Sequence, residues 1–212
     1  RPALIVVPYP GAPARAPGPT EEVVMANVQL MVSAGYAVLI PSLPRADHQG
    51  EPALGMASDI LAAVDAAAAS GGFDPEQIVL WGHSFGAFAA VAAATQSDRF
   101  TAVIAANGPY DLPSVWGQFP LTQSLLPEDG LAVRSRAGWV ETGQGGLGAP
   151  PFAETDRYVR NSPVFTADRI TAPVLLFTGD RDYVPAGQAE ELFSALYRQQ
   201  KDVVLVTYRG EG

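Results

Sequence analysis

Gln77-Ile78-Val79-Leu80-Trp81-Gly82-His83-Ser84-Phe85-Gly86-Ala87-Phe88-Ala89-Ala90-Val91-Ala92-Ala93-Ala94 is the stretch that decides the fold. Its first five residues are a mostly apolar, β-branched run, the pattern of a strand buried on both faces. Ala87 to Ala94 is Ala-rich with no breaker, the pattern of a closely packed helix. Between them stands Gly-x-Ser-x-Gly, where the chain must turn sharply from strand to helix. That turn strains the serine backbone and lifts its hydroxyl clear of the sheet, and a Cβ at position 82 or 86 would clash. The helix start behind Ser84 offers N–H groups and a positive dipole end to a developing oxyanion. The context predicts a nucleophile at Ser84.

Similar apolar runs occur at Ala3 to Val7, Ala37 to Ile40, Thr101 to Ala105, Pro173 to Phe177 and Val203 to Thr207. Helical patterns lie between them. Thr20 to Ala34 has Thr20 as candidate N-cap, Glu21 and Glu22 in the first turn and Gly35 as its stop. Ala53 to Ser70 carries Leu54, Ile60, Leu61 and Val64 on one side and stops at Gly71-Gly72. Phe85 to Thr95 and Gln188 to Gln199 complete the set. The alternation predicts a mostly parallel sheet with helices on both faces, in one domain over 1–212, and the Gly-x-Ser-x-Gly turn within it makes the expected class the α/β-hydrolase fold. Leu112 to Asn161 breaks the rhythm with many Gly and Pro residues. It reads as an irregular excursion over about 112–160, above the sheet, where substrate-binding loops belong.

The 212 residues are 48% apolar, enough for one well-filled domain. The net charge of −9, with no cluster among the 13 basic residues, speaks against a nucleic-acid partner. With no cysteine, disulfides, thiolate metal sites and cysteine nucleophiles are excluded. No apolar run reaches the ~18–20 residues of a membrane span, so no membrane association is expected. The sequence does not set the compartment or the oligomeric state. No Asp, Glu and His are spaced as metal ligands, and neither metal nor cofactor is expected. Gly143-Gln144-Gly145-Gly146-Leu147-Gly148 matches G-x-G-x-x-G but lacks the strand before and helix after that a dinucleotide site needs, so it reads as a flexible loop.

A serine hydroxyl needs a base, and the base an orienting acid, in the chain order Ser, Asp or Glu, His. Past the run at Pro173 to Phe177 comes Thr178-Gly179-Asp180-Arg181-Asp182-Tyr183-Val184-Pro185, with Asp180 and Asp182 as two candidate acids at the same sheet edge as the turn. The base is harder to place, because only His48 and His83 exist. His83 adjoins the serine, where it cannot face Ser84 and be oriented by the acid at once. His48 precedes the serine in a polar loop and reads as a surface histidine.

Gly72-Phe73-Asp74-Pro75-Glu76-Gln77-Ile78 leading into Gly82-His83-Ser84-Phe85-Gly86-Ala87 resembles the approach to the nucleophile in the prolyl oligopeptidase family of serine peptidases. Arg160-Asn161-Ser162-Pro163, followed by Ala167-Asp168-Arg169-Ile170-Thr171-Ala172-Pro173-Val174-Leu175-Leu176, is similar to that family's lead into its acid strand. The resemblance covers nearly the whole chain, in order. It implies Asp182 rather than Asp180 as the acid. It implies the Phe85 N–H and the Tyr9 hydroxyl as oxyanion donors, and Tyr110, Trp116 and Phe119 as pocket residues. It places the catalytic histidine directly after Tyr208-Arg209-Gly210-Glu211-Gly212, so the chain is expected to be a fragment, inactive alone, of a protein that can carry a β-propeller. Two departures stand out: the His-Gly-Gly-Pro type of loop is replaced around Tyr9, and Arg45-Ala46-Asp47-His48 occupies the place of an Arg-Gly-Ser type of turn. The function expected is peptide-bond hydrolysis through an acyl-enzyme on Ser84, with a peptide or small acyl substrate. The alternatives are a carboxylesterase or acyl hydrolase of the same fold, or a hydrolase-fold binding module without activity.

Overall fold

The computed structural model describes residues 1–11, 22–23, 26–43, 50–119 and 135–212. Six strands form one parallel sheet: β1 (Ala3–Val6), β4 (Ala37–Leu39), β5 (Asp74–His83), β6 (Phe100–Ala106), β7 (Val174–Gly179) and β8 (Val203–Tyr208), in the order β4-β1-β5-β6-β7-β8. Each coincides with an apolar run of the sequence. In the inner strands this continuous apolar character goes with burial on both faces, whereas the edge strand β8 leaves Val204 and Tyr208 exposed.

Helices α2 (Met56–Ala68), α3 (Phe85–Ala94) and α7 (Gly187–Arg198) pack into the larger core on one face. On the other face Ile5 and Val7 meet Met31 of α1 (Val28–Ser33). All ten residues of α3 are buried, as a helix apolar on every side must be. No helix among the described residues is long and apolar enough to cross a membrane.

Two local expectations change. The helix read over Thr20 to Ala34 is confined, among the described residues, to α1. Asn27, not Thr20, caps it, its side chain accepting from the Leu30 N–H at 3.1 Å. Ahead of it, β2 (Glu22–Val23) pairs antiparallel with β3 (Ala26–Asn27). Thr20 and Glu21 lie outside the described residues, as does His48. Leu54, placed on the apolar side of the second helix, is 60% exposed, because that helix starts only after Gly55 turns the chain at φ 72°.

Among its described residues the excursion holds three short helices, α4 (Leu112–Gly117), α5 (Ala137–Glu141) and α6 (Thr155–Arg160), then a kinked 3-10 segment over Pro163–Arg169. Its G-x-G-x-x-G glycines wrap the end of α5. A Cβ on Gly143 would lie 2.9 Å from the Trp139 backbone, and one on Gly145 2.7 Å from the Val140 carbonyl. Close packing, rather than looseness, explains them.

Candidate active site

The chain runs from β1 out to the edge at β4 and returns to β5 on the other side of β1. Such a reversal of strand order opens a crevice at the carboxyl ends of the strands. Ser84 stands there, directly after β5, with φ 54° and ψ −123°, a conformation that costs a non-glycine residue about 1–3 kcal/mol. Its N–H donates to the Ala106 carbonyl at the end of β6, at 2.8 Å. The flanking glycines are sterically required: a Cβ on Gly82 would lie 2.2 Å from the Gly86 carbonyl oxygen, and one on Gly86 2.5 Å from that of Pro8. The second approach also seats the loop after β1 on the turn.

That loop brings Tyr9 to the site. Its ring meets Phe85 edge-on at 6.4 Å, and its hydroxyl accepts from Gln144 Nε2 at 3.0 Å, so the proton of the phenol is not spent on that bond. Gln144 in turn accepts from the Trp139 indole N–H at 3.2 Å, and Trp139 packs edge-on against Phe85. The Phe85 N–H is at the first position of α3, beside Ser84.

The loop after β7 lies at the same end of the sheet. Gly179, at the end of β7, donates its N–H to Asn107 Oδ1 at 3.0 Å, and the Asn107 N–H donates to the Phe177 carbonyl at 2.9 Å. Asn107 thus ties the end of β6 to the end of β7. The two aspartates then part company. Asp180 is exposed, and its Oδ1 accepts from the Gly210 N–H at 2.7 Å. Asp182 is half-buried, with Oδ1 accepting from the Val184 N–H at 2.7 Å. It lines a cavity of about 320 Å³ with His83, Asn107, Tyr208 and Gly212. Burial pushes the His83 pKa below its ordinary 6.5, and the Asp182 charge opposes that shift. The segment after β8 is clamped onto this loop: Arg181 donates its N–H to the Glu211 carbonyl at 2.9 Å, and a Cβ on Gly212 would lie 2.7 Å from the Arg181 carbonyl.

A second cavity, of about 240 Å³, adjoins Ser84. The three residues expected to wall it do not line it. Tyr110 is fully buried in the core, its ring turned under Gly108 against Ala87, where a Cβ at 108 would lie 2.6 Å from the phenol oxygen. Trp116 packs on Phe152 and donates its indole N–H to Glu141 at 2.7 Å, and Phe119 is 52% exposed. Val115, Arg136, Trp139, Gln144, Tyr183 and Val184 are among the residues that line the cavity instead. Most of these lie where the sequence shows no period, so no pattern announced them.

Gln188 is a further residue that the sequence did not single out. It is fully buried, with Oε1 accepting from the N–H groups of Tyr110 and Asp111, both at 2.8 Å, and Nε2 donating to Ser114 Oγ at 2.6 Å. It holds the chain that carries Val115 to the cavity. Gln188→Ala strands two backbone donors and is expected to cost about 2–4 kcal/mol by urea denaturation; a change under about 0.5 kcal/mol would refute the role. Beside it, burial raises the pKa of Asp111 above its ordinary 3.8. A carboxyl raised on folding binds more protons when folded, so its penalty is absent below that value and grows as pH rises through the folded value. Asp111→Asn is therefore expected to gain in melting temperature over the parent from pH 4 to pH 8. A difference that stays flat across this range would contradict it.

A serine at positive φ between a buried strand and a buried helix, at the carboxyl edge of a parallel sheet, defines the α/β-hydrolase fold. Comparison with solved structures agrees. The chain is 25% identical to a puromycin-hydrolyzing peptidase of Mycobacterium tuberculosis, TM-score 0.71, over 99% of this chain and 30% of that one. It is 23% identical to an acylaminoacyl peptidase of Pyrococcus horikoshii, TM-score 0.74, over 100% and 32%. A dipeptidyl peptidase 4 of Porphyromonas gingivalis matches at 17% identity, TM-score 0.70, over 99% and 28%. The chain spans about a third of the length of these structures. No curated protein sequence matches it. The model of the prolyl oligopeptidase family, Peptidase_S9, matches residues 22–212, and the chain belongs to that family.

Proposed function

We propose that the chain is the catalytic domain of a serine peptidase that hydrolyses peptide bonds through an acyl-enzyme on Ser84. The observation that carries the reading is the strained Ser84 backbone beside a cavity, with the Asp182 loop at the same sheet edge. Ser84 attacks the carbonyl carbon while its proton passes to a base. The oxyanion is met by the Phe85 N–H and by the Tyr9 hydroxyl, which Gln144 holds in place. Asp182 orients the base, which the family resemblance places as a histidine directly after Gly212. The clamping of Glu211 and Gly212 onto the Asp182 loop brings that segment to the cavity that Asp182 lines. His83 shares the cavity with Asp182 but belongs to the strand end that carries Ser84.

Family membership and the peptidase neighbours favour amide over ester substrates. The test is hydrolysis of aminoacyl-arylamides against short acyl esters by the protein extended past Gly212, each with and without Ser84→Ala. Ser84-dependent amide turnover is expected. Turnover of esters alone would favour an acyl hydrolase, and no turnover of either would favour a binding module.

A further inference from the structure

Tyr9, Phe85, Trp139 and Gln144 close a ring of contacts. The Phe85 ring meets Tyr9 edge-on at 6.4 Å and Trp139 edge-on at 6.0 Å. The Trp139 indole N–H donates to Gln144 Oε1 at 3.2 Å, and Gln144 Nε2 donates to the Tyr9 hydroxyl at 3.0 Å. Tyr9 and Phe85 belong to the loop after β1 and to the start of α3, whereas Trp139 and Gln144 come from the irregular excursion and line the cavity beside Ser84.

Chemistry fixes the direction of both hydrogen bonds. An indole N–H only donates, so it takes the oxygen end of the Gln144 amide. The nitrogen end, which also only donates, then faces Tyr9, and the phenol oxygen must accept. The phenol proton stays out of that bond and is available to another acceptor. A donor on the phenol oxygen also polarises the phenol, so its own proton becomes the stronger donor. The backbone on either side of Gln144 is fixed on α5: the Gly143 N–H donates to the Gly138 carbonyl at 2.8 Å, and the Gly145 N–H to the Trp139 carbonyl at 3.0 Å. The missing side chains of Gly143 and Gly145 let this turn close on α5, which sets the amide between Trp139 and Tyr9. Oxyanion donors work to the extent that they are aimed in advance, and this ring holds one of them from the oxygen side.

We infer that the Gly143-Gln144-Gly145 turn, which reads as a mere loop in the sequence, serves the reaction: Gln144, aimed by Trp139, is a positioning residue that keeps the Tyr9 proton free for the oxyanion. This rests on the reading of Ser84 as nucleophile and Tyr9 as oxyanion donor.

The experiment measures aminoacyl-arylamide hydrolysis by the full-length protein carrying Gln144→Glu or Gln144→Met, each with Tyr9 intact and in Tyr9→Phe. Both replacements keep the length of the side chain. A carboxylate only accepts, so it draws the phenol proton to itself, whereas methionine merely leaves the phenol unheld. Gln144→Glu is expected to lower kcat about 10- to 100-fold, toward the level of Tyr9→Phe, and Gln144→Met less than about 10-fold, with KM within about twofold in both. In Tyr9→Phe neither replacement is expected to change kcat by more than about twofold. That background separates the inference from ordinary damage. A poorly folded variant, or a new charge felt by the whole cavity through Arg136, would cost as much without the phenol as with it. Gln144→Met as harmful as Gln144→Glu, a loss confined to KM, or losses that persist in Tyr9→Phe overturn the inference. Ser84-dependent turnover that Tyr9→Phe leaves unchanged overturns it and leaves the peptidase reading intact. Absence of Ser84-dependent turnover in the parent overturns both.

Discussion

Replacing Ser84 with alanine is expected to lower amide hydrolysis by the extended protein by about 10⁴- to 10⁶-fold, with KM little changed for whatever turnover remains. No other hydroxyl stands at the strand-to-helix turn, so nothing substitutes for the lost nucleophile. What survives comes from the oxyanion donors and the cavity alone. The same position separates chemistry from folding. At φ 54° a Cβ is a burden, so Ser84→Gly is expected to be as inactive as the alanine variant yet more stable by about 1–2 kcal/mol. Loss of activity with a gain in melting temperature would mark strain held for function. A fall of less than about 10-fold in Ser84→Ala would remove Ser84 from the mechanism.

Gly82→Ala is expected to be the most destabilising alanine substitution among the described glycines, at about 3 kcal/mol or more. The new Cβ would meet the Gly86 carbonyl oxygen at 2.2 Å and the Ala87 nitrogen at 2.6 Å, all backbone atoms that cannot rotate away. Relief requires moving the start of α3, whose ten residues are buried. The melting temperature is expected to fall by about 6–12 °C, and labelling of Ser84 by a serine-directed phosphonate to fall with it. Gly187→Ala is the control, because a Cβ there meets nothing within 4 Å. It is expected to be neutral or slightly stabilising. Equal melting temperatures for the two variants would show that the turn is more pliable than its contacts imply.

Much of this molecule is legible without coordinates where chemistry is local. The six strands announce themselves as unbroken apolar runs, which burial on both faces demands of the inner ones. The turn at Gly82 to Gly86 is legible because only glycine tolerates the approach of backbone at 2.2 Å and 2.5 Å. Gly35, at φ 94°, ends α1 as its position foretold. The reading fails where a residue's role depends on a distant partner. Leu54 looks like part of an amphipathic helix until Gly55 delays the helix start. Tyr110 looks like a pocket aromatic because it follows a strand end, yet the space under Gly108 draws it into the core.

The sequence by itself determined the order of strands and helices, the placement of Ser84 at their sharpest junction and the lead into the acid loop, because each is written in contiguous residues. Only the tertiary structure decided which aspartate ties down the turn after β8 and which faces a cavity with His83. It alone brought Arg136, Trp139 and Gln144 from an aperiodic stretch to the side of Ser84, and Gln188 across 78 residues to the Tyr110 N–H. Such meetings depend on how elements pack in three dimensions, and packing between residues far apart in the chain leaves no period or spacing to read.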